Sequence, residues 1–313
     1  MRHVNSESMR GQQSPMGWPT LTLANVIYVG WIVLTWQAKH LPPGIVVLFG
    51  GWLIAWHGSL QHETIHGHPT RSRQINRLIG FAPLSLWLPY DRYKTLHGRH
   101  HAAEHLTLPT VDPESRYLPV GSSPGRRAIA RLNSTLAGRL LLGPAIEIIG
   151  FLASEAKALR AGEPHVARIW AVHLLGVAVI LAWLVLVCRL SLAEYGLLFV
   201  YPGCALSLLR SFAEHRAHED PARRIAVVEQ APILGLLFLN NNLHAAHHAF
   251  PDAPWWRLPK LYASHRAALL QDNGGLSYQG YGEVFQRFFL RAHDQVEHPA
   301  AGPVVADLGA PAG

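Results

Sequence analysis

The stretch Gly44–His66, GIVVLFGGWLIAWHGSLQHETIH, decides the fold: an apolar segment that ends in a pair of histidines. Its run from Gly44 to Leu60 approaches the ~20 residues that a bilayer core requires. Its last five residues put His62 and His66 four apart, one above the other on a helix face. A membrane span closed by two imidazoles predicts metal ligands held at the bilayer surface.

Three more histidine groups follow: His97-Gly-Arg-His100-His101, His215 within Ala-Glu-His-Arg-Ala-His, and His244-Ala-Ala-His247-His248. On a helix, the HxxHH spacing gathers three rings within an arc of about 100°, aimed toward one point. Imidazole suits zinc, copper, iron and nickel, so the boxes alone do not choose the metal. Nine such ligands exceed what one tetrahedral or octahedral ion takes, which predicts two metals in a shared site with positions left open for chemistry. The other histidines (His3, His40, His57, His68, His105, His165, His173, His218, His265, His293 and His298) read as surface or satisfied core residues.

Composition agrees with a membrane location. The chain has 313 residues, 49% hydrophobic and only 15% charged, with positive mean hydropathy, too apolar for an ordinary soluble domain. Four spans are expected: Thr20–Gln37, Gly44–Leu60, Ile169–Cys188 and Leu192–Leu209. They form two hairpins, because Ala38–Pro43 and Arg189–Ser191 are too short to be more than turns. All histidine groups then lie on the side opposite those turns. The connector between the hairpins holds Arg71, Arg73, Arg77, Arg92, Lys94, Arg99, Arg116, Arg126, Arg127, Arg131, Arg139, Lys157, Arg160 and Arg168, against Lys39 and Arg189 in the turns. The positive-inside rule therefore predicts that the histidine side and both termini are cytoplasmic; the membrane is expected to be a bacterial inner membrane. The net charge of +7 suits an anionic leaflet without invoking nucleic acid.

Residues 1–18 read as a polar tail, 19–298 as one all-α membrane domain with a helical cap over the histidines, and 299–313 as a small-residue, proline-rich, disordered tail. Three broken apolar stretches, Arg77–Tyr90, Leu140–Leu152 and Ala231–Leu239, are expected to lie along the inner leaflet or, taken singly, to be helices buried in the cytosolic cap. Cys188 and Cys204 fall in spans as small buried hydrophobes.

HETIH, HGRHH and HAAHH, in this order and with paired spans between the second and third, resemble the membrane fatty-acid desaturase and hydroxylase superfamily. LRSFAEHRAH (Leu209–His218) is similar to the segment that supplies its isolated ligand, which matches His215. NNNLHAAHHAFPDAPWWRLP (Asn240–Pro259) resembles its third box. The resemblance implies two iron ions, molecular oxygen as co-substrate and two electrons per turnover, spent on an unactivated C–H bond. It implies desaturation of a fatty acyl chain first. The alternatives are a hydroxylase or ketolase of a hydrophobic substrate, or a desaturase of a small amino-acid-derived metabolite. A non-catalytic metal-binding membrane protein or transporter is the reading from another class, although a transporter should hold its ligands at mid-bilayer. No flavin, nicotinamide or haem-binding fingerprint occurs, so a separate ferredoxin, rubredoxin or cytochrome b5 would bring electrons. Glu63, Glu104 and Glu214, beside or near ligands, are expected to orient imidazoles. Asn241 and Asn242 are expected to hold a metal-bound water or to cap the box helix.

Overall fold

The computed structural model describes residues 17–299, so the expected polar tail up to Met16 and the expected tail from Ala300 lie outside the described residues. The helices are α1 (Trp18–Gln37), α2 (Pro43–Ile65), α3 (Arg73–Gly80), α4 (Tyr90–Ala102), α5 (Pro124–Asn133), α6 (Leu136–Leu141) and α7 (Gly143–Arg160). They continue as α8 (Val166–Ala182), α9 (Leu192–Tyr195), α10 (Tyr201–Phe212), α11 (Pro232–Leu237), α12 (His244–Ala249), α13 (Leu258–Asp272) and α14 (Tyr281–Phe288). Four continuous helical runs are long and apolar enough to cross a membrane: Trp18–His40, Pro43–Ile65, Val166–Val187 and Leu192–Phe212. They are the four expected spans, each a few residues longer than its apolar core.

The hairpin turns lie side by side. Lys39, in the first turn, pairs with Glu194, just past the second, at 2.5 Å. Polar groups inside the bundle find partners within it, as a bilayer demands: Trp31 Nε1 donates to Tyr195 Oη at 2.9 Å, and Trp183 Nε1 to Thr35 Oγ1 at 3.0 Å. Each span of the second hairpin contains one π-helical turn, Trp183–Val187 and Gly196–Val200.

Spans two and four form the central contact, and glycines set its closeness. A Cβ on Gly50 would meet Phe199 at 2.7 Å, one on Gly51 would meet Pro202 at 2.9 Å, and one on Gly203 would meet Ile54 at 2.5 Å. Backbones this close leave no space between the helices at that level. Nearer the histidines they diverge, because a Cβ on Gly58 would meet only Ser207 Oγ, at 3.8 Å.

One of the three stretches expected along the leaflet does something else. After α3 the chain from Phe81 to Pro89 is non-helical and dips between the spans, where Leu84 is buried among Trp31, Leu53, Ile54 and Tyr195. Its carbonyls are satisfied by the spans: Tyr195 Oη donates to Leu84 O at 2.7 Å, and His173 Nε2 to Leu86 O at 2.9 Å. Irregular backbone at membrane depth survives only when protein covers it, as here. The stretch Leu140–Leu152 runs from α6 into α7, a longer helix than the sequence suggested, and exposes Leu141, Ile149 and Leu152. The last stretch contains α11, which exposes Ile233 and Leu236. The fold is also not purely helical: β1 (Val227–Gln230) and β2 (Ser277–Gly280) form a two-stranded parallel sheet beside the third box.

Candidate metal centre

The nine histidines arrive from four places. His62 is in the last turn of α2 and His66 caps it. His97, His100 and His101 lie in α4, and His244, His247 and His248 in α12. His215 follows the fourth span and is paired across a bridge with Ile225. They converge as two groups, His62, His66, His97, His101 and His247 in one and His100, His215, His244 and His248 in the other, with the ligand atoms of each group within 4.8 Å of one another. HETIH serves one group only. Each HxxHH box is divided between the two, so its three rings do not converge on one point.

The nitrogens fit cations. Within the groups, Nε2 atoms approach one another at 3.0 Å (His66 and His97), 3.1 Å (His101 and His247), 2.9 Å (His215 and His244) and 3.1 Å (His244 and His248). Two nitrogens at right angles on a metal about 2.1 Å away would be about 3.0 Å apart. The tautomers support this reading. His244 Nδ1 faces Asn241 Oδ1 at 3.1 Å and His215 Nδ1 faces Arg224 O at 3.2 Å, so both rings carry their proton on Nδ1 and turn Nε2 lone pairs toward each other. Such an approach is repulsive without a cation. His62 Nε2 and His100 Nε2 are buried without a hydrogen-bond partner, one in each group.

Burial sets the charge of the rings. It pushes His66, His244, His247 and His248 well below the ordinary imidazole value, with help from neighbouring rings. His101 and His215 are brought down to about 3, first by burial. Neutral imidazole is the ligating form. His100 differs: burial pulls it down, yet the hydrogen bond to Asp112 and the charges of Glu114, Asp112 and Glu214 leave it raised.

Carboxylates behind the rings hold them in place. His97 Nδ1 donates to Glu114 Oε1 at 2.8 Å and His100 Nδ1 to Asp112 Oδ1 at 2.8 Å. Burial opposes ionisation of both acids, but their histidine partners keep them below the usual carboxylate range. Sequence reasoning missed this pair. The signal available was Asp112-Pro113-Glu114, two acids in a polar loop after the second box, a weak one without the fold. Of the expected orienting residues, Glu214 Oε1 is 3.4 Å from His244 Nδ1, accepts from Asn241 Nδ2 at 3.0 Å and pairs with Arg210 at 2.9 Å. Burial raises Glu214, and the Arg210 charge opposes that rise. Asn241 thus links Glu214 to His244. Asn242 instead donates to Val228 O at 2.7 Å, fixing the box to β1. Glu63 accepts from Thr20 Oγ1 at 3.5 Å and from the Trp255 backbone at 3.4 Å, joining span one to the segment after box three rather than touching a ring. Glu104 is exposed and hydrogen-bonds no histidine among the described residues.

A cavity of about 710 Å³ opens beside the groups. Its floor lies between spans two and four, at Ile54, Val200 and Gly203; its middle passes Gly58, Ser207, Tyr93, Glu114 and Glu214; its outer end reaches Arg99, Lys157 and Glu163. Tyr93 and His97 rings are 5.7 Å apart, and the lining residues Glu114 and Glu214 lie against His97 and His244, so the cavity reaches each group through a carboxylate. A buried bidentate pair stiffens its wall. Arg92 meets Glu155 at 2.6 and 2.7 Å, and Trp170 Nε1 donates to the same carboxylate at 2.9 Å, tying α4 to α7 and α8.

Against known families, a model of the fatty acid desaturase family matches residues 17–281. The match covers more than half of the chain and all nine histidines, and the protein belongs to that family. A search of the curated proteins finds no match. Membership makes it an oxidoreductase of the membrane, acting on acyl chains or by a related oxidation.

Proposed function

We propose that this protein is a di-iron enzyme that uses dioxygen to desaturate a fatty acyl chain. The observation that carries the reading is the pair of all-histidine groups, each reached through one carboxylate, Glu114 or Glu214, from one cavity whose floor lies between the spans. In the overall reaction the substrate loses two hydrogens, and dioxygen takes these, two electrons and two protons to become two waters. Iron held by the nine imidazoles supplies the oxidant strong enough to break an aliphatic C–H bond, which no side chain provides.

The chain's own residues do the rest. Ile54, Val200, Leu208 and Phe238 offer an apolar bed for an alkyl tail, while Arg99 and Lys157 meet an anionic head at the outer end. Asp112, Glu114 and Asn241 keep His100, His97 and His244 in the tautomer that ligates. The re-entrant segment helps wall the cavity through Ser85, Trp87 and Leu88. The arginine-rich connector supports a cytoplasmic face for the histidines.

Expression in a host whose lipids and polar metabolites are compared by mass spectrometry, with a His247→Ala control, tests the substrate. Isotopically labelled oxygen gas tests the outcome. A desaturated product lacking the label supports the proposal, and a labelled alcohol as the main product replaces desaturation with hydroxylation.

A further inference from the structure

The reaction proposed above needs two electrons per turnover, and the described residues point to where they enter. On the histidine side, outside the site, an open groove of about 500 Å³ is lined by Arg216, His218, Arg223, Asn273, Tyr278 and Arg287, with Asp294 as the only carboxylate in its lining among the described residues. Asp294 is already occupied, accepting from Tyr117 Oη at 2.7 Å and from the Ala217 backbone at 2.9 Å. Arg223 and Arg287 pair with Asp220 and Glu283 outside the groove, but these side chains are substantially exposed, and such pairs contribute little and exchange readily. The groove is therefore cationic, with its guanidinium groups accessible.

Its second property is a short route to one metal group. Arg216 is bonded to His215 through the peptide. The carbonyl of Arg224 accepts both from the Arg216 backbone, at 3.1 Å, and from His215 Nδ1, at 3.2 Å. Arg223, at the groove wall, is the residue before Arg224. Arg216 is thus bonded directly to His215, and Arg223 stands one residue from the carbonyl that accepts from the His215 ring. Among the described residues, none of the other eight histidines of the two groups is bonded to a residue of this groove.

We propose that this groove is the docking site of an acidic, one-electron protein carrier and that His215 is the entry ligand. The inference rests on the redox reading above. Each docking event oxidises the carrier by one electron, which passes to the His215 group. Two such events, with two protons from solvent, balance the reduction of dioxygen to water that accompanies loss of two substrate hydrogens. Charge steering explains the form of the site: cations around a concave surface raise the encounter rate with an acidic partner, and salt abolishes the gain. A groove reserved for anionic lipid headgroups would need no such route to a ligand.

The test uses the metal-loaded protein in nanodiscs and a plant-type [2Fe–2S] ferredoxin as probe. Expected are ferredoxin binding that weakens roughly tenfold between low and physiological salt, and a further tenfold or greater loss in Arg216→Glu/Arg223→Glu/Arg287→Glu. Arg216→Gln and Arg223→Gln guard against misfolding and should each give a smaller loss in the same direction. Iron content and single turnover after anaerobic dithionite reduction should stay at wild-type levels in every variant. Ferredoxin that does not bind the wild type, or binds the charge-reversed variant within twofold of it, overturns the inference. So does a variant whose only change is lost retention of phosphatidylglycerol. Failure of dithionite-reduced wild type to turn over with dioxygen would instead overturn the redox reading itself.

Discussion

His100 and His101 are consecutive in the chain, yet their imidazoles, 5.7 Å apart and turned 84° from each other, belong to different histidine groups. The cause is helix geometry. Positions i and i+4 of the second box, His97 and His101, turn to one group while position i+3, His100, turns to the other. The third box does the reverse: His244 and His248 join His100, and His247 joins His97 and His101. Each histidine group therefore depends on both α4 and α12.

This division predicts selective damage. His66→Ala removes a ligand from the five-histidine group, whereas His215→Ala removes one from the four-histidine group. Both should abolish turnover, and His215→Ala should lose the larger share of its metal because three ligands remain. His218→Ala, outside both groups, should retain the wild-type metal content. Metal analysis of the three purified variants decides.

Asp112→Asn and Glu114→Gln should each lower metal affinity by roughly 10–100-fold, the usual effect of losing a carboxylate behind a ligating histidine. Chelator competition measures it. Glu104→Gln, at the surface, should change nothing.

Space beneath the ligands is set by Gly58, one helical turn before His62, where a Cβ would meet only Ser207 Oγ at 3.8 Å. Gly58→Leu should leave iron content intact while cutting turnover of a long acyl chain roughly tenfold or more, because a substrate held off its position by an ångström reacts far more slowly. Gly203→Leu should instead disrupt the bundle, since Ile54 already sits 2.5 Å from that Cβ position.

Arg92 and Glu155, both buried, predict a stability signature. Arg92→Met should destabilise by about 3–5 kcal/mol, because Glu155 is left as an unpaired buried charge. Replacing both, Arg92→Met with Glu155→Leu, should recover much of the loss in a thermal unfolding assay, which a catalytic role for either residue would not produce.

The spans and most of the clustered histidines were legible in the sequence because both signals are local: apolar length and i, i+3, i+4 spacing. The re-entrant stretch around Leu84 was not, since a proline-broken apolar run looks alike whether it lies on a leaflet or dips between spans; the partners that bury it, Tyr195 and His173, come from distant segments. Asp112 and Glu114 were hidden for the same reason, being chosen by where the loop returns rather than by spacing. The reverse held for Glu63, next to a ligand in sequence but directed toward Thr20 and Trp255. Adjacency on a helix places a neighbour about 100° away, so it is a poor guide to what touches a ligand. The parallel pairing of β1 and β2 joins segments far apart in the chain and left no local pattern to read.

The central claim is that the two histidine groups hold iron for oxygen-dependent oxidation. Iron per chain, measured by elemental analysis on the same purified preparation whose oxygen-dependent turnover is assayed, tests it most directly. Two irons per active chain, with turnover falling in proportion as iron is withdrawn, is the predicted result; full turnover in a preparation that contains zinc and no iron would contradict it.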